Sequence, residues 1–364
     1  MSLDVVMGAM PSSLNVEATH ASVGYVLTPL FVILLCVRIG LSPLQRIMPA
    51  FFCQLGAVFA LVGLSQIYVG HEGFLYLYEN TNIGAPVGTF ANVNHFASLL
   101  LMISPFAVYL VAGASARRRE TDQTAAMMLM IYSCLLLLTV GIAAAGSLAI
   151  YFLSIPIVSL ALVATRANTF EGRGRMLSRI AVASIVILGA SIVWNSPVLN
   201  GLGLIGSDDD PTSRQNMWSF TIAAIQEYWP IGSGMGTYES VIPHFENPDE
   251  VTSRYIALAH NEYLQLAMEM GAAGVVIAFT GATWLIIRAR AIWFGGDSNR
   301  TQIMRKMAFL GILVCCSHSI VDYPARTPAI ASVLAVYVAL VSLPQVERSK
   351  PKNIKVQSDK RRVL

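Results

Sequence analysis

Long runs of apolar residues, separated by short polar segments, organise this chain of 364 residues. Several runs approach or exceed the roughly 17 to 25 residues that a helix needs to cross the hydrocarbon core of a bilayer. The runs are continuous rather than alternating, so the pattern predicts helices rather than a closed barrel. We expect about nine spans, centred near Phe31, Val58, Ile103, Leu136, Val158, Ile187, Phe279, Leu313 and Val336.

The polar interruptions divide the chain into four predicted parts. About six transmembrane helices occupy residues 1–200, a loop follows at 201–261, about three more helices occupy 262–344, and a basic tail fills 345–364. Composition agrees, because 55% of the residues are hydrophobic and only 12% are charged, against roughly a quarter charged in soluble domains. We therefore predict an all-α polytopic membrane protein with one long periplasmic loop that contains amphipathic helices.

The positive charges predict the orientation of the helices. Successive joining segments alternate between many and few Lys and Arg residues, and all but three of the 24 fall on one side. The positive-inside rule makes that side cytoplasmic, so the long loop, with Arg214 and Arg254, faces outward. The net charge of +3 then reflects cytoplasmic loops and a tail that contacts lipid headgroups, and no nucleic acid is expected.

The same orientation places the N-terminus outside and the C-terminus inside. The first twenty residues hold no Lys or Arg, so they lack the basic region of a secretory signal peptide. We expect an odd number of helices to precede this sequence in a longer protein, because that would restore a cytoplasmic start.

The outer loop contains an amphipathic pattern in SRQNMWSFTIAAIQEYW. Apolar residues recur there at helical spacing and predict a helix on or near the bilayer surface, which ends at Pro230. Arg214 lies in its first turn, where the helix dipole disfavours a cation unless an anion is nearby. A guanidinium beside free backbone N–H groups suits a phosphate. The alternative is a surface arginine that extends toward lipid headgroups.

His260 directly precedes the next apolar helix and follows Arg254 by six residues, near the predicted membrane interface. A neutral imidazole at this position can take a proton from a sugar hydroxyl. Neighbouring arginines can hold a leaving diphosphate. The alternative is a histidine that caps the helix or lies at the interface without a chemical role.

Two further outward segments carry candidate polar groups. In GTFANVNHFASLL, Asn92 and Asn94 could cap the third helix. In HSIVDYPARTPA, Asp322 lies four residues after His318, so it could fix the tautomer of that histidine or pair with Arg326. The alternative is an interfacial polar cluster that ends a helix.

Other motifs give weaker signals. The glycine run GSGMG, residues 232–236, is followed by no Lys-Ser/Thr pair, so we interpret it as a tight turn rather than a nucleotide site. The acid run 208–210 is typical of a solvated loop, with metal binding as the alternative. The five cysteines form no CxxC pair, and no metal site is predicted from them.

Four segments together resemble the O-antigen ligase and polymerase superfamily: GTFANVNHFA, SRQNMWSFTIAAIQEYWPIGSGMGTY, AHNEYLQLAMEMGAAG and HSIVDYPARTPA. They occur in this order on the predicted outer side, and the resemblance covers roughly residues 19–343. It implies a metal-independent, inverting transfer of glycan that requires no cofactor. The implied donor is a glycan on undecaprenyl diphosphate, at the periplasmic face of the bacterial inner membrane. The implied acceptor is lipid A-core for a ligase or a second lipid-linked glycan for a polymerase.

The resemblance also implies roles for individual residues. His260 matches the essential histidine of the family and would activate the acceptor hydroxyl. Arg214 matches the arginine of its Arg-Trp segment and would hold the diphosphate. Arg254 is a second candidate diphosphate ligand, on the basis of its position alone. The implied supporting residues are Asn94, Asn261, Trp218, His318, Asp322 and Arg326.

The chain departs from the family in two ways. Many relatives carry a Ser-Arg pair after the helix that matches Leu135 to Ala145, whereas this chain reads AAAGSLAIYF, so one diphosphate contact is expected to be absent. Relatives usually have about twelve helices, so about three are expected to precede this sequence. Two other functions stay open, a small-solute transporter and an inactive partner of polysaccharide assembly. A transporter would place ionisable groups at mid-span, where this chain has almost none.

Overall fold

The computed structural model describes residues 13–70, 73–77, 84–115, 122–169, 214–246, 256–295 and 299–344. Within these ranges all regular structure is helical, with two 3-10 turns at Ile242–His244 and Pro324–Arg326. Ten α-helices occur in the described ranges: α1 Val16–Ile39, α2 Leu41–Val69, α3 Val93–Ser115, α4 Asp122–Ala145, α5 Leu148–Thr169, α6 Arg214–Tyr228, α7 Tyr238–Val241, α8 Glu262–Phe294, α9 Arg300–His318 and α10 Pro328–Ser342.

Six of these helices, α1 to α5 and α8, are long and apolar enough to cross a membrane. Helix α10 is apolar but has only 15 residues, fewer than the roughly 17 that a span requires. Helix α9 has 19 residues and begins with the polar sequence RTQIMRK. The predicted span near Ile187 lies outside the described residues. An all-helical protein with several apolar helices is thereby confirmed, and nine spans stay a prediction.

Helix α3 lies at the centre of the helical bundle. In its most apolar stretch, 83% of the residues are buried, because α2, α4, α5 and α9 all pack against it. Helix α1 is the opposite case, because only 6% of the residues in its most apolar stretch are buried. It packs mainly against α10. An exposed apolar surface of this kind suits contact with lipid. The enclosed position of α3 fixes where its N-terminus, at Val93, emerges at one end of the bundle.

Helix α8 is interrupted at Gly271, in its N-terminal third. Gly271 has φ 56° and ψ −136°, a conformation that only glycine adopts without strain. The N–H of Ala272 donates to the carbonyl of Pro230 at 2.8 Å instead of to its own helix. The carbonyl of Met268, freed by this break, accepts from the N–H of Ser233 at 3.0 Å.

The glycine run 232–236 therefore supplies hydrogen-bond donors to the broken helix. The N–H of Gly234 donates to the carbonyl of Glu269 at 2.9 Å, and a Cβ on Gly232 would lie only 2.5 Å from that same oxygen. The residues before and within α1 pack on the same run, since Thr19 Oγ1 donates to the carbonyl of Met235 at 2.7 Å. The start of α1 and the glycine run thus share one end of the molecule, in agreement with their predicted common side.

The break in α8 predicts a position-specific effect of substitution. Gly271→Ala places a Cβ 2.1 Å from the carbonyl oxygen of Pro230 and should lower the free energy of unfolding by about 1–3 kcal/mol or more, because of the backbone strain. Gly281→Ala, in the same helix with no atom within 4 Å of the added Cβ, should have little effect. Melting temperatures of the two purified variants in detergent test this expectation. Equal melting temperatures would contradict it.

Candidate functional site

A buried carboxylate, Asp322, lies where the N-terminus of α3, the turn before α8 and the C-terminus of α9 meet. Its side chain is 0% exposed. Asn94 Nδ2 donates to Oδ2 at 2.8 Å, and the N–H of Tyr323 donates to Oδ1 at 2.9 Å. Asn94 belongs to the first turn of α3, whose helix end carries partial positive charge. These contacts compensate a charge that would otherwise be costly to bury.

Three histidines surround this carboxylate. His95 Nε2 and His260 Nδ1 lie 3.3 and 3.6 Å from Asp322 Oδ1, and His318 Nε2 lies 3.9 Å from Oδ2. The ring of Tyr323 packs edge-on against His95 and His260, with centroids 4.7 and 5.0 Å apart. We call this group the Asp322 cluster, and its members are Asn94, His95, His260, His318, Asp322 and Tyr323.

The charge state of Asp322 follows from these neighbours. Burial by itself raises the pKa of Asp322, but the imidazoles of His260 and His95 lower it more, so the pKa lies well below its ordinary value of 3.8. The carboxylate is therefore ionised at neutral pH. Neither His95 Nε2 nor His260 Nδ1 has a hydrogen-bond partner of good angle, so the carboxylate is the acceptor available to both. An ionised acceptor beside His260 Nδ1 favours a proton there and leaves Nε2 as the basic nitrogen.

The backbone holds His260 in an unusual conformation. Its φ is 49°, in the left-handed region that costs a non-glycine residue about 1–3 kcal/mol. Trp218 Nε1 donates to the carbonyl of Ala259 at 3.1 Å on one side of His260. On the other side, Asn261 is the N-cap of α8 and accepts from two N–H groups of its first turn. The alternative that His260 caps this helix is therefore wrong, and its imidazole is free to face Asp322.

Arg214 lies at the same end of the molecule as this cluster. It is the first residue of α6, as the amphipathic pattern predicted, and it is exposed. One helical turn after Arg214, Trp218 contacts the residue before His260. Arg254, the other predicted diphosphate ligand, lies outside the described residues.

Arg326 pairs with a different carboxylate from the one that the sequence suggested. Its Nη2 lies 3.2 Å from Glu269 Oε2 rather than beside Asp322. Gln265 Nε2 donates to the other oxygen of Glu269 at 2.9 Å. Of the two alternatives for Asp322, the pair with Arg326 is therefore wrong, because the guanidinium pairs with Glu269, which is 2% exposed.

Glu262 joins the loop of Asp322 to the helix that follows His260. Its Oε1 accepts from the N–H of Ala325 at 2.8 Å, and its own N–H donates to the carbonyl of Ser319 at 2.9 Å. Both partners belong to the loop that carries Asp322. These bonds hold the loop that carries Asp322 at a fixed distance from the turn that carries His260.

Further hydrogen bonds position the residues of α3 and α9 that take part in the Asp322 cluster. Asn92 Oδ1 accepts from the N–H of Asn94 at 2.7 Å, as a helix cap does. The side chain of Asn94 is thereby available for Asp322. Ser98 Oγ lies 2.6 Å from His318 Nδ1, inside the core.

Sequence reasoning missed His95, Ser98 and Tyr323. His95 and Tyr323 directly follow Asn94 and Asp322, so a search for every polar residue beside a selected one would have found them. Ser98 lies one helical turn after Asn94, which is the remaining signal. Within the described ranges, no group of three or more His, Cys, Asp and Glu residues is arranged to hold a metal ion. The acid run 208–210 lies outside those ranges.

Comparison with known families identifies part of the chain. Residues 125–279 match the family model described as O-antigen ligase. This segment includes Arg214, Trp218 and His260, and it ends before the loop that carries Asp322. No curated protein matches the chain. The Asp322 cluster is thus assembled from residues inside and outside the matched segment.

The lowered pKa of Asp322 predicts a pH-dependent contribution to stability. Because the folded pKa lies below the ordinary value of 3.8, the ionised carboxylate stabilises the fold above that pH and loses this effect as the pH falls below it. Asp322→Asn should therefore melt below the wild type at neutral pH, and the difference should narrow under acid conditions. Glu227→Gln, which changes an exposed carboxylate on α6, is the control. A difference for Asp322→Asn that is independent of pH would contradict the assignment.

Proposed function

We propose that this chain, whose residues 125–279 match the family model described as O-antigen ligase, transfers glycan from undecaprenyl diphosphate at the periplasmic face of the bacterial inner membrane. One observation carries the proposal. Of the three imidazoles around Asp322, that of His260 is 28% exposed, whereas those of His95 and His318 are 3% and 1% exposed. His260 is thus the imidazole of the cluster that can meet a substrate.

In the proposed step His260 acts as general base. Its Nε2 takes the proton of an acceptor hydroxyl while the acceptor oxygen bonds to the anomeric carbon of the donor glycan. The bond between that carbon and the diphosphate oxygen breaks, and undecaprenyl diphosphate leaves with the electron pair. The Asp322 carboxylate, 3.6 Å from Nδ1, stabilises the imidazolium that forms. Attack opposite the leaving group inverts the configuration at the anomeric carbon.

Arg214 is proposed to hold the leaving diphosphate. A guanidinium binds phosphate oxygens in pairs and stays charged at every physiological pH, so it suits the negative charge that develops there. The resemblance expects a second arginine after α4, but Ser147 is followed by Leu148, the first residue of α5. An apolar side chain at that position places a larger share of the charge stabilisation on Arg214, with Arg254 as the further proposed ligand.

The position of the polar residues supports surface chemistry over transport. The Asp322 cluster gathers at helix ends and in the turns between them, whereas a transport pathway is expected to place ionisable groups at mid-span. An inactive assembly partner would have no need of a partly exposed imidazole beside an ionised carboxylate. A transfer assay distinguishes a glycan transferase from both alternatives.

A reconstituted transfer assay tests the function. Purified enzyme in liposomes receives a glycan on undecaprenyl diphosphate together with lipid A-core, or with a second lipid-linked repeat. We expect product with one acceptor, which distinguishes ligase from polymerase. His260→Ala should lower the rate by about 100-fold or more, as loss of a general base does. His244→Ala, an exposed histidine of the same loop region, should retain activity. Product formation by His260→Ala at the wild-type rate would remove His260 from the mechanism.

The proposed role of Arg214 predicts a change in kcat/KM when this residue is replaced. Arg214→Ala should lower kcat/KM by an amount equivalent to about 2–4 kcal/mol of barrier, by analogy with loss of an oxyanion donor. Arg214→Lys should recover part of the rate, because it keeps the charge without the paired donors. The exposed neighbour Gln215, changed to Ala, provides the matched control. An Arg214→Ala enzyme as active as Gln215→Ala would show that this arginine only faces lipid headgroups.

A further inference from the structure

Three nitrogen atoms converge on one oxygen of Asp322. The backbone N–H of Tyr323 donates to Oδ1 at 2.9 Å, and the nearest nitrogens of His95 and His260 lie 3.3 and 3.6 Å from the same atom. The other oxygen, Oδ2, accepts from Asn94 Nδ2 at 2.8 Å. A carboxylate offers about four lone-pair sites, two on each oxygen. The backbone N–H takes one of the sites on Oδ1, so one site is left for two imidazoles.

His95 is the nearer and the more enclosed of the two imidazoles. Its ring is 3% exposed, against 28% for that of His260. His95 belongs to the first turn of α3, the central helix of the bundle, and its ring packs edge-on against Tyr323. The 3.6 Å separation of His260 Nδ1 from Oδ1 exceeds the roughly 2.7–3.2 Å of an ordinary N–H···O hydrogen bond. His95 is therefore placed to take the remaining acceptor site.

We propose that His95 is a positioning residue that competes with His260 for Oδ1 of Asp322 and so limits the basicity of His260, an inference that rests on the proposed role of His260 as general base. A carboxylate whose charge is shared with a second imidazole stabilises an imidazolium less than one that acts on a single partner. A general base must be neutral before it can accept a proton. Competition from His95 favours that neutral form of His260.

The balance between the two imidazoles changes during the proposed reaction. A hydrogen bond from a protonated imidazole to a carboxylate is charge-assisted, and such bonds are roughly twice as strong as those between neutral groups. Once His260 has taken the proton of the acceptor hydroxyl, its Nδ1–H is therefore a stronger donor to Oδ1 than before. The contact between His260 and Asp322 strengthens as the reaction proceeds, and an interaction of this kind raises kcat.

The charged and titratable side chains near His260 come from several elements. In the described ranges they are His95 on α3, Arg214 on α6, Glu262 on α8, His318 on α9, and Asp322 and Tyr323 in the loop after α9. The carboxylate of Glu262 accepts from the N–H of Ala325, and His318 lies beside Oδ2 of Asp322 rather than Oδ1. Among these side chains, His95 is the one that shares Oδ1 with His260.

Titration of the His260 ring by NMR tests this inference without any need for catalysis. The full chain is purified in detergent with 13C-labelled histidine, and the signal that is lost in His260→Gln identifies His260. His95→Leu removes the competing donor, whereas His95→Gln keeps an N–H donor in place of Nε2. His20→Leu, which changes an exposed histidine of α1, is the control.

We expect the midpoint of the His260 titration to rise by about one pH unit in His95→Leu, because Asp322 then acts on one imidazole fewer. The midpoint should return toward the wild-type value in His95→Gln and stay unchanged in His20→Leu. His95→Phe, which keeps a ring against Tyr323 but lacks a donor, should show the same rise and replaces His95→Leu if that variant does not fold. An unchanged or lower midpoint without the donor, or an equal rise in His95→Gln, would overturn the inference.

The pH dependence of kcat/KM supplies a second readout, because its acid limb reports the protonation of a general base in the free enzyme. In His95→Leu this limb should move to higher pH by the same amount, so that kcat/KM on the acid side falls by about tenfold while the value at high pH changes less. An acid limb that stays in place in an active His95→Leu enzyme would contradict the inference. If the wild type transfers no glycan, the proposed function fails, and the NMR titration still decides whether His95 and His260 compete for Asp322.

Discussion

The burial of one carboxylate determines the arrangement of this end of the molecule. Asp322 is removed from water and ionised, so the protein must supply the hydrogen bonds and positive potential that water would have given. Asn94 at the start of α3, the N–H of Tyr323 after α9 and His260 before α8 meet this requirement together. Three helix ends that are distant in sequence are thereby held at a single point.

The backbone of α8 imposes the second constraint. A helix that breaks near the membrane leaves carbonyl groups that need donors from the protein. The glycine run 232–236 supplies them and packs closely enough that a side chain on Gly232 would collide with α8. This contact fixes the first turns of α8 between the glycine run and α1. It also fixes the position of Glu269, which pairs with Arg326.

These two constraints also fix the elements on either side of His260. Arg214, on α6, is joined to the turn of His260 through Trp218. Glu262 and Glu269 follow His260 along α8 and accept hydrogen bonds from the N–H of Ala325 and from Arg326. The imidazole of His260, which is 28% exposed, is the group proposed to receive the proton in glycan transfer.

The sequence by itself determined the helical class, the helix that begins at Arg214, and His260 and Asp322 as candidates, because apolar run length and helical spacing are local properties of the chain. Only the tertiary structure decided which side chains meet. It brought His95 and His260 to Asp322, paired Arg326 with Glu269, and placed the glycine run where it donates hydrogen bonds to the broken helix α8. Those pairings join residues as far apart as Asn94 and Asp322, and they depend on which helix ends the packing around α3 brings together.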